Sequence, residues 1–425
     1  MRWISTRGAA PPRSFEEALF AGQAPDGGLY LPERIDPLPP DVVRGFAGRS
    51  LAEIGVVIGR HMLEGDLPPD DLAAIVTDAL DFPVPLVRID ERRWVLELFH
   101  GPTMAFKDVG ARVQARFLRY FADGQPLTVL VATSGDTGGA VAQAFAGAPD
   151  TRVVVLYPRG QVSDIQEAQF ATVGGNVTAV AVEGTFDDCQ ALVKRAFADQ
   201  DLRRDVRLTP ANSINVGRLL PQIFYYFLTA PAGRPLISVP SGNFGNLTAG
   251  LLAARLGLET AGFVAATNRN DVVPRYLETG RYEPQPSERT VANAMDVGAP
   301  SNLERMRALY GDDVARLRAD VSGAAFTDAE VVATIGDVHR RYGYLLDPHS
   351  AVAWLGLEHA LAGAPPGRPG VLLATAHPAK FREVVEPAIG ETVPVPAPLA
   401  EAAARPRRRH PLANDYSALT ALLRA

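Results

Sequence analysis

The sequence predicts an α/β protein in which helices cover parallel sheets, and three observations carry that prediction. From about residue 93 to residue 375, short β-rich apolar runs alternate with stretches of helical spacing, the pattern of parallel sheets packed under helices. The chain has 425 residues, 47% hydrophobic and 21% charged, which suits one large or two to three ordinary globular domains. Three of the expected strands also end in unusual loops, two of them glycine-rich and opening helices, and ligands of open parallel sheets sit beyond the carboxyl ends of the strands.

Taken in order, residues 1 to about 80 read mainly as helix and loop. Ser14 before Phe15-Glu16-Glu17 is a helix-start signature, and Gly27-Gly28 and Pro32 punctuate a short extended GLYLPE. The proline-bearing DFPVPLVRIDERR, 81 to 93, reads as a connection. Strands are expected at Val95–Phe99, Val129–Ala132, Val153–Tyr157, Val177–Val182, Ile237–Val239, Phe263–Thr267 and Val371–Thr375, with GAPPGRPG as the loop before the last. The tail's Pro406-Arg407-Arg408-Arg409 reads as a solvated charge run. No fixed-period repeat and no heptad pattern stands out.

Composition narrows the function. A net charge of −6 and a pI near 5.7 argue against a nucleic-acid binder, which needs a basic surface. The single cysteine, Cys189, excludes an internal disulfide framework and reads as a buried small residue in a reducing compartment. The N-terminus lacks a secretory apolar core, and the longest uncharged run, 235 to 254, is broken by Pro240, Ser241, Gly242, Asn243 and Gly245, so the expectation is a cytoplasmic protein without a membrane partner. The seven histidines form no H-E-x-x-H, and there is no G-x-S-x-G elbow. His349 follows Asp347-Pro348 and is expected in a loop with a structural role. No metal site is expected.

The stretch HGPTMAFKDVGAR holds the most informative residue. After a strand and a His-Gly-Pro-Thr turn, Phe106, Gly110, Val113, Phe117 and Phe121 give one apolar helix face, with Thr103 as the expected N-cap. Lys107 then lies in the first turn, where a cation opposes the helix dipole by roughly 0.3–1 kcal/mol. That position makes the neutral amine cheaper than on an open surface, and a neutral lysine is a nucleophile toward carbonyls. A surface lysine beside Asp108 is the plain alternative.

Two glycine loops add anion chemistry. In ATSGDTGGAVA, Thr133-Ser134-Gly135-Asp136-Thr137-Gly138-Gly139 opens an Ala-rich helix. In VPSGNFGNLTAG, Ser241-Gly242-Asn243-Phe244-Gly245-Asn246 opens another. Free amides at such helix starts cradle a carboxylate or phosphate, and neither loop fits a dinucleotide or P-loop fingerprint. In the third loop, TAHPAKF, Thr375 is a candidate partner for a ring nitrogen and His377 an acid or a cap. In NSINVGR, Asn215 and Arg218 fall on one face if helical, and the planar fork of Arg218 suits a phosphate or a carboxylate. The polar loop NAMDVGAPSN reveals no role. Two anion cradles and a nucleophilic lysine point to a phosphorylated aldehyde, pyridoxal 5'-phosphate. One loop would hold its phosphate and the other a substrate carboxylate.

HGPTMAFKD, ATSGDTGGAVA, LYPRG, NSINVGR, VPSGNFGNLTAG, NAMDV and TAHPAKF, in this order, resemble the successive signatures of the threonine synthase family, and the likeness runs from GLYLPE to the GET near Glu391. The resemblance implies the pyridoxal-phosphate fold shared with the tryptophan synthase β subunit (fold type II). It has two parallel-sheet lobes with helices on both faces, plus an N-terminal mainly helical segment. The division expected is 1–85 for that segment, 86–232 for a smaller lobe carrying the lysine and the carboxylate loop, and 233–425 for a larger lobe with a C-terminal extension. It further implies that O-phospho-L-homoserine and water become L-threonine and phosphate, with Lys107 holding the cofactor and shuttling protons. Gly242, Asn243, Phe244, Gly245 and Asn246 would bind the cofactor phosphate. Asp136 would lie near its ring hydroxyl and Thr375 near its nitrogen. Ser134, Gly135 and Thr137 would take the substrate carboxylate, and Asn215 and Arg218 the leaving phosphate. A monomer or small homo-oligomer is expected. Sibling enzymes of the same fold (a serine or threonine dehydratase, a sulfhydrylase, a phospholyase ending at the 2-keto acid) and a catalytically silent anion-binding protein are the alternatives.

Overall fold

The computed structural model describes all residues, 1–425. Its strands are β1 (Trp3–Ser5), β2 (Tyr30–Pro32), β3 (Leu86–Arg88), β4 (Arg93–Glu97), β5 (Leu127–Ala132), β6 (Thr151–Pro158), β7 (Val177–Glu183), β8 (Leu208–Pro210), β9 (Leu236–Pro240), β10 (Gly262–Thr267), β11 (Val321–Ala325), β12 (Gly370–Ala374) and β13 (Arg409–Ala413). Every strand expected from the sequence is present. The buried runs of valine, leucine and alanine in β5, β6 and β7 are those of strands covered on both faces.

Two main sheets result, in the orders β11-β10-β9-β12-β4-β3 and β13-β7-β6-β5-β8. All their pairings are parallel except the β3–β4 hairpin. In the first sheet the chain runs outward from β9 through β10 to β11, and β12 lies on the other side of β9. In the second it runs outward from β5 to β7, with β8 on the other side of β5. Each sheet therefore has a switch point, at β9/β12 and at β5/β8, where diverging connections leave a crevice. The two glycine loops follow β9 and β5.

This topology corrects the expected division of the chain. β3 and β4, placed by sequence in the smaller lobe, belong to the sheet of the larger one, and β13 returns from the C-terminal extension to edge the other sheet. The connection at 81 to 93 contains β3. The arginine run is not a free tail either, since Arg407 and Arg409 both pair with Glu167, at 2.9 and 2.8 Å. The N-terminal segment packs into the body. Trp3, Phe15, Leu19 and Ile54 share one core with Phe117, Phe224 and Val239, and the buried Arg305 donates to the carbonyls of Tyr30, Ser213 and Ile214. Ser14 caps the helix Phe15–Ala21 in a reciprocal box with Glu17, as its spacing predicts. No helix is long and apolar enough to cross a membrane.

Candidate active site

Lys107 opens the helix Lys107–Ala122, at the exit of β4. The turn before it is pinned to the exit of β12: Phe106 N–H donates to Thr375 O at 2.8 Å, His377 N–H donates to Met104 O at 3.1 Å, and Ala105 bridges Ala376. Met104 takes a left-handed φ of 54° to make this turn. Thr103 is not the cap expected. Phe106 occupies that position, and Thr103 donates through its N–H and Oγ1 to Asp108, at 2.9 and 2.5 Å. With Asp108 so engaged, it is no surface partner for Lys107. Gly110 is required where a Cβ would come within 2.8 Å of Arg218 O, so the lysine helix lies directly on the arginine segment.

The Lys107 side chain is 14% exposed and its Nζ is 3.9 Å from Asp136 Oδ2. Burial lowers its pKa to about 8; Asp136 works against that fall, while Lys380 and Arg218 reinforce it. The neutral amine that the sequence argument requires is thus accessible near neutral pH. Burial alone would raise the Asp136 carboxyl, but Lys380, Lys107 and Gln166 hold it well below the usual carboxylate range.

A cavity of about 1070 Å³ connects Lys107 with Ser134, Thr137, Gly242, Asn246 and Thr375. The cradle after β9 is tightly built. No amide from Gly242 to Asn246 has a protein acceptor, and Phe244, at φ 59° and ψ 12°, turns the backbone into the helix Gly245–Arg255. Gly242 is pressed so closely on the NAMDV loop that a Cβ would meet Ala294 O and Met295 Cα, both at 2.8 Å. Asn243 is tied to Ser213 at 2.5 Å and to the Ser301 amide at 2.6 Å. Asn246 Oδ1 accepts from Tyr225 and Tyr226, at 2.6 and 2.7 Å, which turns its Nδ2 away without a partner.

The cradle after β5 is looser. Thr133 Oγ1 accepts from the amides of Gly135 and Gly138, at 2.9 and 2.8 Å, starting the helix Asp136–Phe145. Ser134 and Thr137 line the cavity. Gly135 does not, contrary to expectation. Its amide is engaged by Thr133, and its φ of 144° with Gln166 within 2.5 Å of a built Cβ makes its role conformational.

Arg218 is buried at the cavity wall, with Nη1 donating to Ala211 O at 2.6 Å and Nε unpartnered. Burial lowers it to about 10, with Asp108 nearby opposing the shift, so it stays a cation. Asn215 is a correction. It is the N-cap of the short helix Val216–Leu219, its side chain bonding the Gly217 amide and the carbonyls of Leu19 and Pro210. It lies outside the cavity and fixes the segment that carries Arg218. Thr375 lines the cavity. His377 caps the turn after it through the Ala379 amide.

Three features escaped the sequence. Lys380, in TAHPAKF, has a fully buried side chain 2.7 Å from Asp136 Oδ1. His349 is in a helix, Pro348–Ala362, with Nδ1 2.6 Å from Asp347, Nε2 accepting from the Ala294 amide at 3.2 Å, and a place on the cavity wall. The N-terminal segment also supplies part of that wall, through Arg7, Arg13, Glu17 and Phe20. The Asp347-Pro348 pair was the available signal for His349, since aspartate then proline is an N-cap followed by N1. Nothing in the local sequence marks Lys380.

The unbonded amides of 242–246, the orphan Asn246 Nδ2 and the low-pKa amine of Lys107 fit a phosphorylated aldehyde. The comparisons agree. Residues 81–375 match the family described as "Pyridoxal-phosphate dependent enzyme", 2–80 "Threonine synthase N terminus" and 350–423 "Threonine synthase, C-terminal". The chain is 44% identical over 422 residues to a threonine synthase of Escherichia coli (strain K12), covering 96% of each. It superposes on a crystal structure of threonine synthase from Escherichia coli with a TM-score of 0.94, at 41% identity, covering 100% of this chain and 99% of that one. For a pyridoxal-phosphate-bound threonine synthase from Brucella melitensis the TM-score is 0.92, at 38% identity and the same coverage.

Proposed function

Because the chain belongs to the threonine synthase family of pyridoxal-phosphate-dependent enzymes, we propose that it converts O-phospho-L-homoserine and water to L-threonine and phosphate. The observation that carries this reading is the Lys107 amine, lowered to about 8, on one cavity wall with two anion cradles and the buried cation Arg218. When bound, pyridoxal phosphate supplies an aldehyde for that amine and a ring that accepts charge from the substrate α-carbon.

The amides of Gly242, Asn243, Phe244, Gly245 and Asn246, with the Asn246 side-chain amide, would hold the cofactor phosphate. Asp136 and Thr375 are assigned to the ring hydroxyl and the ring nitrogen. Ser134 and Thr137 donate to the substrate carboxylate at the start of the helix Asp136–Phe145. Arg218 stabilises the leaving phosphate through a charge-assisted pair. The Lys107 amine would be the base for the substrate α-proton and would then serve the β-carbon. With its one buried cysteine, the protein is assigned to the reducing cytoplasm, as a monomer or small homo-oligomer.

Incubating the loaded protein with O-phospho-L-homoserine tests the reading. Threonine and phosphate in equal amounts are expected, whereas 2-oxobutyrate as the only organic product would make it a sibling lyase. Borohydride reduction should fix the cofactor to the Lys107 peptide, and a protein that binds no cofactor would be the silent alternative.

A further inference from the structure

Two ammonium groups compete for one carboxylate beside the cavity, and they are not equivalent. Lys380 Nζ lies 2.7 Å from Asp136 Oδ1 and donates to Thr103 O at 2.9 Å; its side chain is fully buried. Asp136 Oδ1 also accepts from Gln166 Nε2 at 2.9 Å. Oδ2 is left with Lys107 Nζ alone, at 3.9 Å, beyond hydrogen-bond reach. We propose that Lys380 is the standing counter-ion of Asp136, and thereby the positioning residue that leaves the Lys107 amine free to lose its proton.

A buried carboxylate with one cation nearby pairs with it, and that cation stays protonated. Were Lys380 absent, Lys107 would be the cation closest to Asp136. Lys380 occupies that carboxylate and adds a like charge, and both effects favour the neutral form of Lys107. The other titratable groups facing the pair are Arg218 from the helix Val216–Leu219, Asp347, with His349 bonded to it, from the start of the helix Pro348–Ala362, and His377, whose burial lowers its pKa and favours the neutral ring. Asp108 faces Lys380 and Arg218 but is held by both donors of Thr103. Lys380 bonds that same Thr103 through its carbonyl. The turn carrying Lys107 and the carboxylate opposite it are therefore held by one ammonium group.

This inference rests on Lys107 being the reactive amine. The test is competitive acetylation of the full-length, cofactor-free chain across pH, with the Lys107 peptide read by mass spectrometry. In the native chain the midpoint should fall near 8. Lys380→Met and Lys380→Gln should move it upward by about one unit or more, and Lys380→Arg should return it toward the native value. Gln is included because it keeps a donor for Thr103 and Asp136 if the Met variant does not fold. A Lys107 midpoint unchanged in a folded neutral variant, with only thermal stability lowered, would reduce Lys380 to a structural strut and overturn the proposal. Failure of borohydride to fix cofactor to Lys107 in the native chain would instead overturn the functional reading, so the two failures are distinguishable.

Discussion

The cradle after β9 and the cradle after β5 begin alike, as a strand end running through small residues into a helix, yet they are built to different standards. In the first, neighbouring groups clamp every side chain that can move. Asn243 is bonded at both ends, Asn246 is fixed by two tyrosines, and Gly242 lies against the backbone of the NAMDV loop. In the second, Thr133 organises the backbone, while Ser134 and Thr137 make no side-chain hydrogen bond within the protein. A fixed set of donors suits a group that stays, and adaptable hydroxyls suit one that comes and goes with each turnover. The difference supports the proposed assignment of cofactor phosphate to the first and substrate carboxylate to the second.

The comparison breaks most severely at the residue both cradles serve. Lys107→Ala removes the cofactor link and the proton shuttle together, and turnover measured as phosphate release should fall by ~10³-fold or more. Gly242→Ala should separate the cradles. Its Cβ would press on backbone atoms of the NAMDV loop at 2.8 Å, which costs about 1–3 kcal/mol. Cofactor affinity, titrated by absorbance, should weaken accordingly, with substrate KM little changed at saturating cofactor. Thr137→Val should do the reverse, raising KM for the phosphorylated substrate by roughly ten- to a hundredfold, the worth of one hydrogen bond to a charged group, while cofactor affinity holds.

The amine itself predicts the smallest effect. Cofactor capture by the cofactor-free chain needs neutral Lys107, so its rate should rise with pH and level off above about 8. The same shift has a stability sign. The folded chain releases the Lys107 proton near 8 and the unfolded chain near 10.5, so the unfolded state binds more protons between those values. This group's contribution therefore makes stability rise with pH across that window. A capture rate flat from pH 6 to 9 would mean that another amine reacts.

What was legible in the sequence follows from where the information resides. β5, β6, β7 and β12 each carry an unbroken apolar run of at least four residues, as a fully buried parallel strand should. β8, with three residues, and β11, reading Val-Ser-Gly-Ala-Ala, carry no such signal; their neighbours make them strands. The two cradles were readable because free amides at a helix start are a local property. Asn215 is not legible as a cap, because an asparagine that caps and one that binds a phosphate look identical until the Leu19 and Pro210 carbonyls arrive beside it. Lys380 is illegible for the same reason. Its meaning lies in Asp136, which only the folding of one sheet against the other brings within 2.7 Å.

The central claim, that the rigid cradle holds the cofactor and the adaptable one holds the substrate, meets its most direct test in a crystal structure of the loaded protein with a phosphonate analogue of the substrate. The account predicts cofactor phosphate on the amides of 242–246 beside Asn246, with the analogue's carboxylate on Ser134 and Thr137. A cofactor phosphate seated on the β5 loop, or a Lys107 nitrogen remote from the cofactor aldehyde carbon, would contradict it.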